Sequence, residues 1–318
     1  MKDQTPIAVT SRSFSRHPVL REELLSRYAD VRFNENGARL QSRDLVQFLS
    51  GRRRAIVALE RIDASVLSHL PSLEVVSKYG VGLDSIDLEA LESRGVKLGW
   101  TPGVNRHSVA ELVIAFAIAL LRRIPEAREL VRQGEWSQIV GRELSSCTFG
   151  IIGCGNVGKE VAVLCRAFGC HVLANDICDY SDFYVQNKVE SVGLENLLRR
   201  SDIVSLHVPL DDSTRKMIDT ERLALMKSDA ILINTARGGI VDEYALKESL
   251  VRGRLAGAAF DVFEDEPPSD RELLSLPNFI ATPHIGGSSK ESIMAMGMAA
   301  IAGLDNADVV SRVLKRSR

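Results

Sequence analysis

Three side chains with catalytic potential follow hydrophobic segments in the second half of the chain: Arg237, Glu266 and His284. An arginine just past a buried strand can bind a carboxylate through paired hydrogen bonds. Histidine is the natural proton donor near neutral pH, and a neighbouring carboxylate stabilises its charged form. Arg237 would hold a substrate carboxylate and polarise the adjacent carbonyl, while His284, kept charged by Glu266, would protonate the carbonyl oxygen. Each residue alone also fits a salt bridge, a solvated loop or an incidental histidine.

A glycine-rich motif, Gly153-Cys-Gly155-Asn-Val-Gly158, follows a hydrophobic run and is typical of a strand that turns tightly into a helix. In such a motif Gly153 allows the turn, Gly155 lets a pyrophosphate approach the backbone, and Gly158 lets helix and strand pack closely. The helix N-terminus offers N–H groups and a partial positive charge to the phosphates. The motif therefore predicts a dinucleotide site.

Asp176 ends the next strand-like segment, eighteen residues after Gly158. A carboxylate at this position holds the hydroxyl groups of the adenosine ribose and repels a 2′-phosphate. Residues 177–179 supply no arginine that could accept such a phosphate. We therefore predict NAD rather than NADP, and hydride transfer beside His284.

The composition excludes several other functions. The formal net charge is −2 over 318 residues with acids and bases intermixed, so no footprint for nucleic acid stands out. Five cysteines without CxxC or zinc spacing are typical of reduced thiols, and no metal site is predicted. The N-terminus has no apolar signal core, and the most apolar stretch, 109–121, contains Glu111 and is too short to span a bilayer. We expect a soluble cytoplasmic protein that binds neither nucleic acid nor membranes.

Strand-like segments alternate with helical patterns, which predicts parallel sheets covered on both faces. A helix is predicted over 19–28 in the first unit, whose strands are predicted at 7–9, 55–59, 73–77 and 96–99. Six strands of a doubly wound Rossmann sheet are predicted at 148–152, 171–175, 203–208, 230–234, 256–261 and 280–282. The final segment has a helical pattern without a strand, so we expect it to pack on the first unit. The predicted domains are a discontinuous substrate-binding domain, 1–101 with 289–318, and an NAD-binding domain, 102–288.

A long apolar helix is predicted between these two units. Ser108-Val-Ala-Glu111 has the form of a capping box, in which each end satisfies a backbone donor of the other. The residues that follow, up to Leu121, are apolar almost all round, so the helix must be buried on more than one side. An interior helix and a subunit interface both satisfy this requirement.

From Ala55 to Leu304 the chain resembles the D-isomer-specific 2-hydroxyacid dehydrogenases, in the short form of the phosphoglycerate dehydrogenase branch. Besides the glycine motif, the segments that carry the resemblance are 78–87, 101–105, 207–210, 234–239, 261–267 and 282–287. The resemblance implies an NAD-dependent dehydrogenase or 2-ketoacid reductase with a Rossmann domain and a smaller flavodoxin-like α/β domain. It also implies a homodimer, formed through the helix after Ser108.

The resemblance also assigns roles to individual residues. Arg237, Glu266 and His284 are the implied catalytic set, and Asp261 would contact the nicotinamide carboxamide. The backbone N–H groups of Val81 and Gly82, in a loop that includes Lys78 and Tyr79, would bind the substrate carboxylate. The implied cofactor site is completed by Asn156 and Val157 at the pyrophosphate and by Val208, Pro209, Thr235, Ala236, Arg237, His284, Ile285, Gly286 and Gly287.

One departure from the family pattern leaves the substrate open. Phosphoglycerate enzymes usually carry an arginine–serine pair where this chain has Glu60-Arg61, and Glu60 would repel a phosphate. Arg61, Lys78 or Tyr79 could supply a different contact, so 3-phosphoglycerate stands beside other small 2-hydroxy acids. The alternatives are an NADP-linked glyoxylate or hydroxypyruvate reductase and, in a different class, a non-catalytic NAD(H)-sensing protein like the corepressors that resemble this family.

Overall fold

A computed structural model describes residues 1–316 as two units. The first consists of Met1–Asn105 and residues 290–316, and the second consists of Arg106–Ser289. The first predicted boundary, after residue 101, lies four residues before the observed one, and the second, after residue 288, lies one residue before it. The last two residues of the predicted segment 289–318 lie outside the described part.

The first unit contains a five-stranded parallel sheet in the order β2-β1-β3-β4-β5. This is the order of flavodoxin-like folds. Its strands are β1 (Ile7–Val9), β2 (Val31–Phe33), β3 (Arg54–Val57), β4 (Val75–Lys78) and β5 (Lys97–Gly99). β1 and most of β3 are fully buried because helices cover both faces of the sheet.

Seven helices surround this sheet. They are α1 (Arg12–Arg16), α2 (Pro18–Arg27), α3 (Ser42–Leu49), α4 (Ala64–Ser68), α5 (Leu88–Ser93), α14 (Lys290–Asp305) and α15 (Val310–Arg316). α14 packs closely on the sheet, since a side chain on Gly99 would collide with the backbone of Gly303. Ser77 also donates a hydrogen bond to the carbonyl of Ala300 at 2.7 Å. The chain thus returns to complete the core of the first unit.

The second unit contains a seven-stranded parallel sheet in the order β12-β11-β10-β9-β6-β7-β8. The first six of these strands in chain order, β6 to β11, have the doubly wound Rossmann order. β12 adds a seventh strand at one edge. The strands are β6 (Thr148–Ile152), β7 (His171–Asn175), β8 (Val189–Ser191), β9 (Ile203–Leu206), β10 (Ile231–Asn234), β11 (Gly257–Phe260) and β12 (Phe279–Ala281). Because all strands are parallel, their carboxyl ends meet at one edge. The predicted fold class is confirmed.

Eight helices belong to the second unit. They are α6 (Arg106–Leu121), α7 (Ile124–Arg132), α8 (Asn156–Ala167), α9 (Ser181–Asn187), α10 (Leu194–Arg200), α11 (Thr220–Leu223), α12 (Glu243–Val251) and α13 (Arg271–Ser275). Val113, Phe116 and Ala117 of α6 lie in one core cluster with Phe149 and Ile151 of β6. This burial explains why α6 is apolar on most of its surface. Among the described residues, no helix combines the length and apolar character needed to cross a membrane.

The capping box predicted at Ser108-Val-Ala-Glu111 was wrong. α6 begins two residues earlier, at Arg106, so Ser108 lies inside its first turn. The Ser108 hydroxyl donates instead to the backbone carbonyl of Gly286 at 2.6 Å, on a loop distant in sequence. A serine side chain satisfies whichever acceptor the fold brings near, and local sequence cannot show that one.

Candidate active site

The glycine loop between β6 and α8 has the geometry of a pyrophosphate site. Gly153 has a φ of +91°, and a Cβ there would lie 2.7 Å from the carbonyl carbon of His207. A Cβ on Gly158 would collide with the carbonyl of Gly153, so helix α8 packs directly on the turn. A Cβ on Gly155, in contrast, would meet no atom within 4 Å. The space beside Gly155 and the N-terminus of α8 therefore fit the diphosphate of a dinucleotide.

The Asp176 carboxylate lies directly beside this loop. One oxygen accepts a hydrogen bond from the backbone N–H of Cys154 at 2.5 Å, and the other accepts from Cys178 N–H at 2.8 Å. Burial raises the pKa of the Cys154 thiol to about 11, so the loop carries no thiolate that would repel phosphates. Lys159 lies over the ring of Tyr180 at 3.6 Å. The arrangement fits a ribose whose hydroxyls donate to Asp176.

His284 and Glu266 form a hydrogen-bonded pair at the ends of β12 and β11. The His284 Nδ1 atom lies 3.0 Å and 3.1 Å from the two carboxylate oxygens of Glu266. Both side chains are partly exposed, and the Nε2 atom of His284 has no hydrogen-bond partner among the described residues. The pair lines a cavity of about 340 Å³ together with Asp261 and Thr282. One ring nitrogen is thus occupied by a carboxylate, and the other can exchange a proton with a bound molecule.

The buried carboxylate of Asp261 anchors the loop that carries His284. Asp261 is 1% exposed, and its two oxygens accept hydrogen bonds from the backbone N–H groups of Ile285 and Gly286, each at 2.7 Å. The hydroxyl of Thr282 donates to the same carboxylate at 2.5 Å. Three protein donors therefore use Asp261, a structural role that the sequence did not reveal.

Arg237 lies on a tight turn after β10. Asn234 closes this turn, because its amide donates to the carbonyl of Arg237 at 2.9 Å and its amide oxygen accepts from Ala236 N–H at 3.1 Å. A Cβ on Gly238 would collide with the carbonyl of Phe263, so the turn packs directly on the loop that leads to Glu266. Arg237 is half-buried, and its guanidinium donates to the carbonyl of Ala236 at 2.6 Å. The structure thus brings the loops of Arg237 and Glu266 together.

The remaining predicted cofactor residues lie at the same carboxyl edge. Val208 and Pro209 follow β9, Thr235 and Ala236 follow β10, and Ile285 to Gly287 follow β12. Two buried polar atoms here, Thr235 Oγ1 and His207 Nδ1, have no hydrogen-bond partner within residues 1–316. Burial lowers the pKa of His207 to about 3, so its ring is neutral and its Nε2 atom pairs with Ser205 Oγ at 2.9 Å.

In the first unit, the predicted substrate loop begins at the end of β4. Lys78 is only 6% exposed, and its ammonium donates to the carbonyl of Ala58 and to Ser85 Oγ. Lys78 therefore braces the neighbouring turn rather than presenting its charge at the surface. Trp100 donates from Nε1 to the carbonyl of Val81 at 2.9 Å. The N–H groups of Val81 and Gly82 donate to no group in the described part of the chain, so they can bind an anion.

Glu60 also stabilises the turn after β3. Its carboxylate accepts hydrogen bonds from the Thr10 hydroxyl at 2.7 Å and from Ala58 N–H at 2.8 Å. The adjacent Arg61 is exposed and forms an ion pair with Asp63 at 3.1 Å. Two hydrogen bonds thus hold the Glu60 carboxylate at this turn.

Comparison with known proteins decides the family. The sequence model described as D-isomer specific 2-hydroxyacid dehydrogenase, NAD binding domain, matches residues 114–286. The chain belongs to this family. The predicted family, dehydrogenase activity and NAD cofactor are thereby confirmed.

Three relatives of this dehydrogenase illustrate the range of the family. The hydroxypyruvate reductase of Thermotoga maritima is 42% identical over 243 residues, which cover 75% of this chain and 78% of that protein. The D-3-phosphoglycerate dehydrogenase of Methanocaldococcus jannaschii is 40% identical over 245 residues, covering 74% of this chain but 46% of that protein. The crystal structure of D-lactate dehydrogenase from Aquifex aeolicus, complexed with NAD and lactic acid, has a TM-score of 0.81 at 29% identity, covering 98% of this chain and 96% of that chain.

Several residues that shape the site of this dehydrogenase were not expected from its sequence. Trp100 orients the Val81 peptide, Thr282 and Ser108 hold the His284 loop, and Asn234 closes the Arg237 turn. Asn234 and Thr282 lie within motifs that the sequence singled out for chemistry. The others act through hydrogen bonds to partners that are distant in sequence or on the backbone, which residue spacing does not reveal.

Proposed function

We propose that this dehydrogenase reduces small, unphosphorylated 2-ketoacids, such as hydroxypyruvate or glyoxylate, with NADH. The observation that carries the proposal is the pair of His284 and Glu266, in which Nδ1 faces a carboxylate and Nε2 remains available. This is the geometry that a proton donor needs, because one nitrogen is oriented and the other can reach a substrate oxygen.

In this proposal, bound NADH supplies a hydride to the carbonyl carbon of the substrate. His284 holds a proton at Nε2 and gives it to the carbonyl oxygen, while the negative charge of Glu266 stabilises the imidazolium before transfer. The guanidinium of Arg237 binds the substrate and polarises its carbonyl. In the reverse direction, neutral His284 accepts the proton of the hydroxyl group.

The N–H groups of Val81 and Gly82 are the proposed contacts of the substrate carboxylate. Successive N–H groups form a concave site that attracts anions without a charged side chain. The hydrogen bond from Trp100 to the carbonyl of Val81 supports this role, because it fixes the orientation of the peptide. Lys78 and Tyr79 are buried and would support the loop from behind.

One observation favours an unphosphorylated acid. Glu60 is fixed by Thr10 and Ala58, so its negative charge cannot easily turn away from a phosphate. We therefore place hydroxypyruvate before 3-phosphohydroxypyruvate.

The test is NADH oxidation with hydroxypyruvate, glyoxylate, pyruvate, 3-phosphohydroxypyruvate and bulkier 2-ketoacids, repeated with NADPH. We expect the highest kcat/KM with an unphosphorylated acid and NADH. Preference for the phosphorylated acid would contradict the proposed substrate, and preference for NADPH would contradict the role of Asp176. Tight NADH binding without turnover of any acid would favour a sensing protein instead.

We also propose a cytoplasmic homodimer. Because α6 packs into the core of its own unit, the adjoining segment 124–141 is the better candidate for the interface. No residue of α7 is buried, and Trp136 and Val140 are about 90% exposed. Exposed apolar groups of this size typically mark a protein interface. Sedimentation equilibrium should give twice the chain mass, and a monomer at micromolar concentration would contradict the assignment.

A further inference from the structure

The backbone of His284 adopts a conformation that its own sequence does not favour. Its φ is +55°, in the left-handed region, where a residue with a Cβ is uncommon. A non-glycine residue persists there when its surroundings hold it. The direction of the His284 ring therefore depends on whatever fixes the loop around it.

One side of this loop is fixed by Asp261. Its backbone carbonyl accepts from His284 N–H at 2.9 Å, and its carboxylate binds the N–H groups of Ile285 and Gly286. These contacts restrain the donors of the loop. They do not restrain the backbone carbonyl of Gly286.

Ser108 restrains the carbonyl of Gly286. Its hydroxyl donates to the carbonyl of Gly286 at 2.6 Å, across a sequence separation of 178 residues. Gly286 is also enclosed between two elements, since a Cβ on it would lie 3.0 Å from the Asp261 carboxylate and 3.4 Å from the side chain of Val109. The first turn of α6 and the end of β11 thus both hold Gly286.

We propose that Ser108 is a positioning residue for proton transfer. By holding Gly286, its hydroxyl keeps His284 in the left-handed conformation in which Nδ1 meets Glu266 and Nε2 points away from that carboxylate. Ser108 forms no hydrogen bond with Glu266 or the ring of His284 within residues 1–316, so it acts through the loop. This inference rests on the proposed function, in which His284 is the proton donor.

The test compares Ser108→Ala with Ser108→Thr, which keeps the hydroxyl. Ser275→Ala is the matched control, because the Ser275 hydroxyl also donates to a backbone carbonyl, that of Glu272, but at an exposed position of α13 outside the loop of residues 282–287. We expect Ser108→Ala to lower kcat for hydroxypyruvate about 10-fold with the KM for NADH within about twofold, since a small misplacement of a reacting group slows catalysis without weakening binding. Ser108→Thr should restore kcat to within about threefold of the wild type, and the control should match the wild type.

Amide hydrogen exchange at Ile285 and Gly286 gives a readout that does not require turnover. Faster exchange of these amides in Ser108→Ala, with an unchanged melting temperature, would support the proposal. An unchanged kcat in Ser108→Ala, or an equal loss in the alanine and threonine variants, would overturn it. If the wild type turns over no 2-ketoacid, the proposed function fails. Amide exchange still tests the inference in that case, because unchanged exchange at Ile285 and Gly286 in Ser108→Ala would overturn it.

Discussion

The glycine loop and the histidine loop lie at the same edge of one sheet, yet different forces hold them. In the glycine loop, residues 153–158, the conformation follows from missing side chains, because Gly153 and Gly158 pack where no Cβ fits. In the histidine loop, residues 282–287, the conformation follows from hydrogen bonds to Asp261 and Ser108. The glycine loop thus depends on the absence of side chains at set positions of one short motif, whereas the histidine loop depends on hydrogen bonds from residues far apart in the sequence.

The largest effect should come from removing the reacting group of the histidine loop. His284→Ala should lower kcat by about 10²- to 10⁴-fold, the usual contribution of a general acid. NADH affinity should remain close to that of the wild type, because the imidazole acts on a proton. Stopped-flow turnover and fluorescence titration with NADH measure the two quantities. Substantial turnover in this variant would remove His284 from the mechanism.

Two substitutions in the glycine loop should separate steric packing from ligand binding. Gly158→Ala should lower the free energy of unfolding by about 1–3 kcal/mol, because the methyl group collides with the Gly153 carbonyl. Gly155→Ala should unfold at the same denaturant concentration as the wild type but bind NADH more weakly. Urea unfolding and NADH titration test both. Equal stability of the two variants would show that Gly158 is not required for packing.

A smaller effect, on cofactor affinity, is expected at Asp176, which lies beside the glycine loop. Asp176→Ala should raise the Kd for NADH about 10-fold, because hydrogen bonds to the ribose are lost, and should narrow the preference against NADPH. Asp179→Ala is a suitable control, since that exposed carboxylate only closes a local turn with Ser181. An unchanged ratio of NADH to NADPH affinity in Asp176→Ala would mean that the ribose is held elsewhere.

The smallest predicted effect concerns the stability of the protein in acid. It involves His207, which packs beside Gly153 of the glycine loop. The folded pKa of His207 is about 3, below the ordinary value of 6.5, so the unfolded chain binds an extra proton between these pH values. The stabilisation is complete above pH 6.5 and is lost as the pH falls towards 3. His207→Gln should therefore show a shallower decrease of melting temperature between pH 6.5 and 4.5 than the wild type. An identical slope would show that His207 does not contribute.

Some elements could be predicted residue by residue and others could not. β6 and β7 begin and end where predicted, because a strand buried on both faces is a continuous apolar run. β2 and β8 were missed, since each has three residues with a charged one in the middle, Arg32 and Glu190. Both lie at a sheet edge, but so do β5 and β12, which were predicted. Short strands with a charged central residue are therefore the elements that periodicity identifies least well.

The dinucleotide loop and the three candidate catalytic residues could be identified from the sequence alone. The glycines of the motif allow its turn wherever the strand lies, and any parallel sheet brings Arg237, Glu266 and His284 to one edge because they follow its strands. The hydrogen-bond partners of the polar side chains around them became visible only in the folded chain. The fold turned Lys78 inward, bound Glu60 to Thr10, and joined Ser108 to Gly286. A hydrogen bond forms with whichever partner the fold brings within reach, and partners far apart in sequence leave no mark on local spacing.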